Sequence, residues 1–387
     1  MKTYRKLKKG TKALIYLLAC SLHGKKPDLR MIYRTVNNEK DKLFSLAHRH
    51  TVGSMTAISL KQAENFSDTF SRDEIKKWES MQGAAVKRRF LFDTERERLF
   101  EIMEKTGIDY CPLKGIILQD LYPIYEMREM SDNDILFDET RRDILKKLML
   151  SEGYTLEDHG VTNHDLYTKE PVYNFEFHTR LFMHTFSTRF TSYYDGIRSK
   201  LIKAAGKDHM YLMSDEDFYV YMTAHAYKHF NEGGTGLRSL TDTYIFNLKK
   251  GNTLDREYIR NECNKLGISS FEKTMRTVSL KLFSDPDKVF CNLSSLNDRE
   301  RDFLSYISFT GSYCTKEDFI KSRMKRSGSK GRYILSRLVP DNNYYKEAHP
   351  FLYKNKILIP PFLVYRFGKM LLTNRMMASK EIRMLLS

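Results

Sequence analysis

Residues 112–123 read Pro-Leu-Lys-Gly-Ile-Ile-Leu-Gln-Asp-Leu-Tyr-Pro, and residues 131–137 read Ser-Asp-Asn-Asp-Ile-Leu-Phe, with Arg128 between them. An apolar strand here runs into a glycine turn, a short helix follows, and Asp132 and Asp134 open a second strand. Alternate residues of a strand point to one face, so the two carboxylates aim at one point. Paired carboxylates repel unless a cation lies between them, and hard oxygen donors suit Mg²⁺. The turn at Lys114-Gly115 opens a helix, whose free backbone N–H groups bind phosphate. Together these features point to a site for a Mg²⁺-nucleotide.

Outward from this stretch the chain reads as helical on both sides. Over 1–105, Phe44, Ala47, His48, Val52, Met55 and Ile58 keep helical spacing, as do apolar positions in 89–104. Between 106 and 200 the apolar runs shorten, at 108–113, 134–137 and 173–178. They alternate with helical segments at 115–122 and 140–152, and Gly153 stands where a helix-ending glycine belongs. This is an α/β or α+β core. From 201 to 387 helices return. Ser214 and Asp217 read as a capping box, and the helix after them carries Phe218, Tyr221, Met222, His225 and His229 on one stripe. Residues 231–236 read as a loop, and the next helix sets Arg238 and Asp242 one turn apart.

The 387 residues are 41% hydrophobic and 13% aromatic, which excludes a disordered chain and allows a large core. A net charge of +16 favours anionic partners: nucleotides, nucleic acid or an anionic membrane surface. The five cysteines form no CxxC pair, which fits buried thiols in a reducing, cytoplasmic setting. Basic residues in 2–12 precede Ala-Leu-Ile-Tyr-Leu-Leu-Ala-Cys at 13–20, in the manner of a lipoprotein signal. Leu14, Leu17, Leu18 and Leu22 also fit a helical stripe, and an amphipathic first helix is expected. No stretch reaches the ~20 apolar residues of a membrane span. The basic tracts at 2–12, 87–89 and 321–333 read as solvated faces; nucleic acid is an open partner there, with no nucleic-acid-reading motif beside them. The last basic helix, near 361–385, carries Phe362, Leu363, Val364 and Tyr365. It is expected to pack on the domain, leaving at most peripheral membrane contact.

The order of these pieces resembles the uncharacterised bacterial nucleotidyltransferases of the DNA polymerase β superfamily, often encoded near polysaccharide-biosynthesis genes. The matching residues are Leu-Lys-Gly at 113–115, Leu-Tyr at 121–122, Arg128, Ser-Asp-x-Asp-Ile-Leu at 131–136 and Phe-Glu-Phe-His at 175–178. Further on come His225, Lys228-His229, Leu237-Arg238, Asp242, Leu-Val-Pro at 338–340 and Leu-Val-Tyr-Arg-Phe at 363–367. Two positions depart from the family pattern: Asn133 stands between the aspartates and Thr179 follows His178, where the family carries an apolar and an aromatic residue. The turn also has Lys114-Gly115 in place of the superfamily's Gly-Ser pair.

The resemblance implies an α+β fold, with a polymerase-β-like nucleotidyltransferase core of small mixed sheet and helices over 106–200. A helical N-terminal region over 1–105 and a helical C-terminal domain over 201–387 flank it. It implies two Mg²⁺ ions on Asp132, Asp134 and a third carboxylate from a neighbouring strand. Glu176 is the candidate, since it shares a strand face with His178. Lys114 and Gly115 are then set to touch a triphosphate; an ordinary exposed lysine is the plain alternative. Arg128 either binds phosphate, orders the loop, or pairs with Glu126 or Glu129. His225 and His229 form a His-x-x-x-His that lacks the glutamate of a zinc-protease helix, and satisfied core histidines are their plain reading. The resemblance instead puts their helix, with Lys228, Arg238 and Asp242, on the nucleotide cleft; an Arg238–Asp242 pair that only supports its helix is the alternative. The implied reaction is nucleotidyl transfer from a nucleoside triphosphate, with release of pyrophosphate. The acceptor is left open among a sugar phosphate, a polysaccharide precursor, tRNA and protein. The rival class is a non-catalytic nucleotide- or anion-binding protein that keeps the fold.

Overall fold

A computed structural model describes residues 7–32, 39–158, 163–183, 186–312, 331, 339, 345 and 350–373. The first part is helical: α1 Lys9–Leu22, α2 Lys40–Arg49, α3 Gly53–Lys61 and the long α4 Arg72–Thr106. The α4 helix starts at a capping box, Ser71 with Glu74, and stops at Gly107, whose φ of 69° few other residues adopt at low cost. The α1 helix is not amphipathic as expected. Ala13 through Cys20 are all at most 3% exposed, so it is the central helix of a bundle. The helical spacing read across 44–58 belongs to two helices, because Thr51 takes a positive φ of 52° and breaks the run.

A five-stranded mixed sheet follows, with β1 Tyr110–Pro112, β2 Asn133–Phe137, β3 Thr155–Asp158, β4 His164–Lys169 and β5 Tyr173–His178 in the order β1-β2-β5-β4-β3. Only the β2–β5 pair is parallel. Short α5 Gly115–Leu118 links β1 toward β2, and α6 Arg142–Ser151 crosses to β3. Gly153, at φ 79°, ends that crossover as expected. Strands β3 and β4 were not expected. Their apolar residues are few, and β4 buries Asp165 by a two-pronged ion pair to Arg142, Nε–Oδ2 2.8 Å and Nη2–Oδ1 2.6 Å.

Helices then return: α7 Thr188–Tyr194, a small hairpin of β6 Ile202–Lys203 and β7 Tyr211–Leu212, α8 Asp215–Glu232, α9 Gly236–Lys250, α10 Arg256–Leu266, α11 Ser269–Phe283, α12 Val289–Ser294 and α13 Asp298–Thr310. The expected capping box on α8 is one-sided. Ser214 Oγ accepts from the Asp217 N–H, but the Asp217 carboxylate takes the Tyr258 hydroxyl at 2.7 Å instead. The loop expected over 231–236 shrinks to 233–235.

Three apolar cores hold these parts, and they cross the boundaries expected at 105/106 and 200/201. One core mixes α1, α3 and Trp78 with Leu240, Val278, Phe283 and Leu304 of the later helices. A second packs Phe92, Leu99 and Met103 of α4 against Ile135, Phe137, Phe175 and Phe177 of the sheet. The third joins Cys111, Leu118 and Leu136 to α8 and α10. The basic tract at 321–333 and the Leu-Val-Pro of 338–340 lie outside the described residues apart from Gly331 and Val339. In the helix Ile359–Thr373, Phe362 meets Tyr345 (ring centroids 6.2 Å), whereas Val364 and Tyr365 are 75% and 63% exposed, contrary to close packing all round. Among the described residues no helix is long and apolar enough to cross a membrane.

Buried His50 ties the first bundle to α9, its Nδ1 accepting the Leu237 N–H at 3.1 Å. Burial, with Arg49 nearby, pushes its pKa down to about 3. The unfolded chain therefore takes up a proton from pH 6.5 downward that the folded chain refuses, so stability falls as pH drops. Each refused proton contributes a slope of about 1.4 kcal/mol per pH unit. Urea unfolding between pH 6.5 and 4 should show a shallower loss in His50→Gln, whose amide still accepts from Leu237, than in wild type.

Candidate active site

The parallel pairing of β2 and β5 builds the site. It sets Asp134 beside Glu176 and Leu136 beside His178 in register, so the two acidic side chains lie side by side on one face. Asn133 points to the other face and is fully buried there. Its Oδ1 accepts from Arg96 of α4 at 3.0 Å and its Nδ2 donates to the Asn174 carbonyl at 3.3 Å. Where an apolar residue was expected, a polar one with its own partners pins the strand to α4.

Asp134 Oδ1 sits between Lys114 Nζ at 2.5 Å and His178 Nε2 at 2.8 Å. Burial opposes ionisation of Asp134, but Lys114 and His178 outweigh it and hold this carboxyl well below the usual range. An ionised carboxylate only accepts, so Nε2 of His178 donates. Burial likewise opposes the charge on His178, and its hydrogen bonds to Asp134 and Glu176 raise its pKa in spite of it. Asp132 has no such help: burial, the Asp134 charge and Glu176 push it up to about 6 against the pull of Lys114. Glu176 is held low by His178, whose Nε2 lies 3.6 Å from its Oε2, although burial works the other way.

Lys114 adopts φ 43° and ψ −113°, a strained backbone for a residue with a side chain, of the kind found where a site over-determines the chain. Gly115 after it has no room for a side chain, because a Cβ would lie 2.5 Å from Arg128 Nη1. Arg128 in turn pairs with neither Glu126 nor Glu129. Its Nε and Nη2 hold Asp242 at 2.8 and 3.1 Å, with both residues buried, and the Tyr122 hydroxyl donates to Asp242 at 2.8 Å. Glu126 instead accepts from Gln82 and Glu129 from the Ser54 N–H. The Arg238–Asp242 pair weighed as the alternative does not form; Arg238 Nη1 donates to the Glu129 carbonyl at 3.1 Å.

On α8, His225 and His229 face each other, Nε2 to Nε2 at 3.1 Å. Burial and the Lys114 charge push His229 down to about 3 and His225 well below its ordinary value, so the pair is neutral, one ring donating to the other.

All twelve residues singled out in the sequence, Lys114, Gly115, Arg128, Asp132, Asp134, Glu176, His178, His225, Lys228, His229, Arg238 and Asp242, line one cavity of about 330 Å³. It lies between the sheet and helices α8 and α9. A model of an uncharacterised nucleotidyltransferase family matches residues 37–284. The chain belongs to this family. No curated protein and no solved structure matches it. Membership in a nucleotidyltransferase family implies nucleotidyl transfer in general and a nucleotide substrate.

Sequence reasoning missed several residues of this nucleotidyltransferase cavity. His164 of β4 pairs in register with His178, and its Nε2 lies 3.9 Å from Glu176 Oε2. Among the described residues, His164, Glu176 and His178 place one ligand atom each within 4.8 Å of one another, a grouping able to hold a metal that includes Glu176 of the expected carboxylate set but neither Asp132 nor Asp134. The alternation Asp165, Tyr167 on one face of β4 was the available signal. Ser131, Asn163, Thr235, Ser239 and Ser312 add hydroxyl and amide groups to the lining.

Proposed function

We propose that the protein is a Mg²⁺-dependent nucleotidyltransferase that moves a nucleoside monophosphate from a nucleoside triphosphate to an acceptor. What supports this is the lining of a single cavity by Asp132, Asp134 and Glu176 together with Lys114, Lys228 and Arg238. The donor set suits a hard divalent cation: Asp132, Asp134 and Glu176 line the same cavity, the charges of Asp134 and Glu176 help force Asp132 up to about 6, and Lys114, His178 and Arg238 offset part of this charge. Asp132, Asp134 and Glu176 would hold the metal pair, which supplies Lewis-acid stabilisation of the entering and leaving oxygens. Lys114, Lys228 and Arg238 bind the triphosphate and neutralise its charge. Arg128, fixed by Asp242, keeps the Arg128–Ser131 segment in place beneath it. An acceptor oxygen bonds to the α-phosphorus, the bond from that phosphorus to the bridging oxygen breaks, and pyrophosphate leaves. A hydroxyl acceptor gives its proton to the carboxylate group.

A second reading is a non-catalytic nucleotide binder, and the Lys114–Asp134 contact favours it, since an ammonium there stands where a metal would. One incubation separates them: purified protein, Mg²⁺, each α-labelled triphosphate in turn, and cell extract as acceptor. Transfer of label with pyrophosphate release supports the enzyme. Tight nucleotide binding that needs no Mg²⁺ and yields no transfer supports the binder.

A further inference from the structure

A larger cavity of about 660 Å³ adjoins the first. Arg128, Met130, Ser131 and Arg238 line both, so their common wall ends one residue before Asp132. Its far wall is a face of α4. Lys76, Ser80, Ala84, Arg88 and Phe92 follow one another at four-residue steps, each about 6 Å further along the axis and about 40° further round it, so the lining winds along the helix. Ser80 and Ala84 are small and open the space; Phe92, fully buried, closes its floor.

The charge of this lining is one-sided. Six Lys and Arg side chains face it, against Asp73 and Glu129. Arg89 is neutralised by Asp93 and Asp120, Arg128 by Asp242, and Glu129 is already engaged by Ser54. Lys76, Arg88 and Arg238 make no ion pair among the described residues. The apolar part comes from Phe44, Met81 and Phe92. Cations at the rim over an apolar floor suit an anionic group on a compact body. The volume is that of a small-molecule site, and its apolar walls are unlike an open basic track along a nucleic-acid strand.

We infer that this cavity is the acceptor site, and that the acceptor is a small phosphorylated molecule drawn in by the cations along its rim, Lys76 and Arg88 among them. This rests on the transferase reading above. In-line displacement at the α-phosphorus needs the attacking oxygen opposite the leaving pyrophosphate. Two chambers that meet beside Asp132 meet that need, whereas one chamber of about 330 Å³ does not hold both substrates.

The test uses the full chain and the double variant Lys76→Glu/Arg88→Glu, with Ala84→Trp as a second, cavity-filling change at an exposed position. Calorimetry measures inorganic phosphate and glucose 1-phosphate, with glucose as the uncharged control, and separately an α,β-methylene triphosphate with Mg²⁺. Expected is binding of glucose 1-phosphate but not glucose, weakened at least ~10-fold in both variants, with triphosphate affinity within ~2-fold of wild type. Equal glucose 1-phosphate affinity in wild type and both variants would overturn the assignment, as would no binding of either phosphate probe at millimolar concentration. So would single-stranded RNA that binds more tightly than both and is lost in the same variants. Glucose 1-phosphate binding that depends on Lys76 and Arg88, in a protein that binds no triphosphate, keeps this site and removes the transferase reading instead.

Discussion

Asp134→Asn and Asp132→Asn should each lose nucleotidyl transfer by at least ~10³-fold, yet move stability in opposite directions. The shared loss follows if both hold metal, since several kcal/mol of transition-state stabilisation go with a ligand and each 1.4 kcal/mol is about tenfold. The stability split follows from their neighbours. Asp134 is the counter-charge of Lys114 and His178, which are 18% and 5% exposed as side chains, so its removal strands two cations. That should cost roughly 3 kcal/mol. Asp132 is raised from 3.8 to about 6, so its charge at pH 7 works against the fold. Its folded pKa lies above its unfolded one, and its share of stability is lost as pH rises through about 6. Asp132→Asn should therefore stabilise the metal-free protein at pH 7 by about 1–3 kcal/mol and erase the benefit of added Mg²⁺. Urea melts with and without Mg²⁺ check both. Equal stability changes in the two variants would remove this account of the site.

Asp242→Ala should be the most destabilising change near the cavity, by about 3–5 kcal/mol, because it leaves a buried guanidinium without its carboxylate. The Tyr122 hydroxyl loses a partner in the same step. Replacing both members, as Arg128→Leu with Asp242→Leu, should recover most of the loss, since a buried pair exchanged for apolar volume is often neutral. Arg238→Ala is the contrast. Arg238 bonds only a carbonyl among the described residues, so melting should barely shift while triphosphate affinity falls. A small stability change in Asp242→Ala would mean the pair is not held as described.

The site was legible because its residues sit in a local pattern. Asp134 lies on β2 with Asp132 just before its first residue, Lys114 and Gly115 sit in one turn, and Glu176 and His178 alternate on another strand. What stayed hidden depends on partners far away in sequence. Arg128 lies 114 residues from Asp242, and no spacing rule joins them; the eye is drawn instead to Glu126, Glu129 or a helical i,i+4 partner. Strand β4 was obscured for a related reason. Its buried Asp165 breaks the hydrophobic alternation, and only Arg142 on α6 makes that burial tolerable. The α1 helix misled in the opposite sense. Its four stripe leucines suggest one apolar face, but packing on all sides makes it a central helix.

The α4 helix runs 35 residues and belongs to two cores at once. Trp78 near its start is buried in the helical bundle, while Arg96, about 27 Å further along the axis, grips Asn133 inside the sheet. The strand that presents the aspartates is thereby anchored to a strut whose other end is set in the bundle. A catalytic cassette trimmed to 106–200 would leave that strut behind. It would bare Ile135, Phe175 and Phe177 to water and release the tether on Asn133. For this protein, dissection into minimal working pieces has to begin upstream of Ser71, and swapping the sheet between relatives has to carry α4 with it.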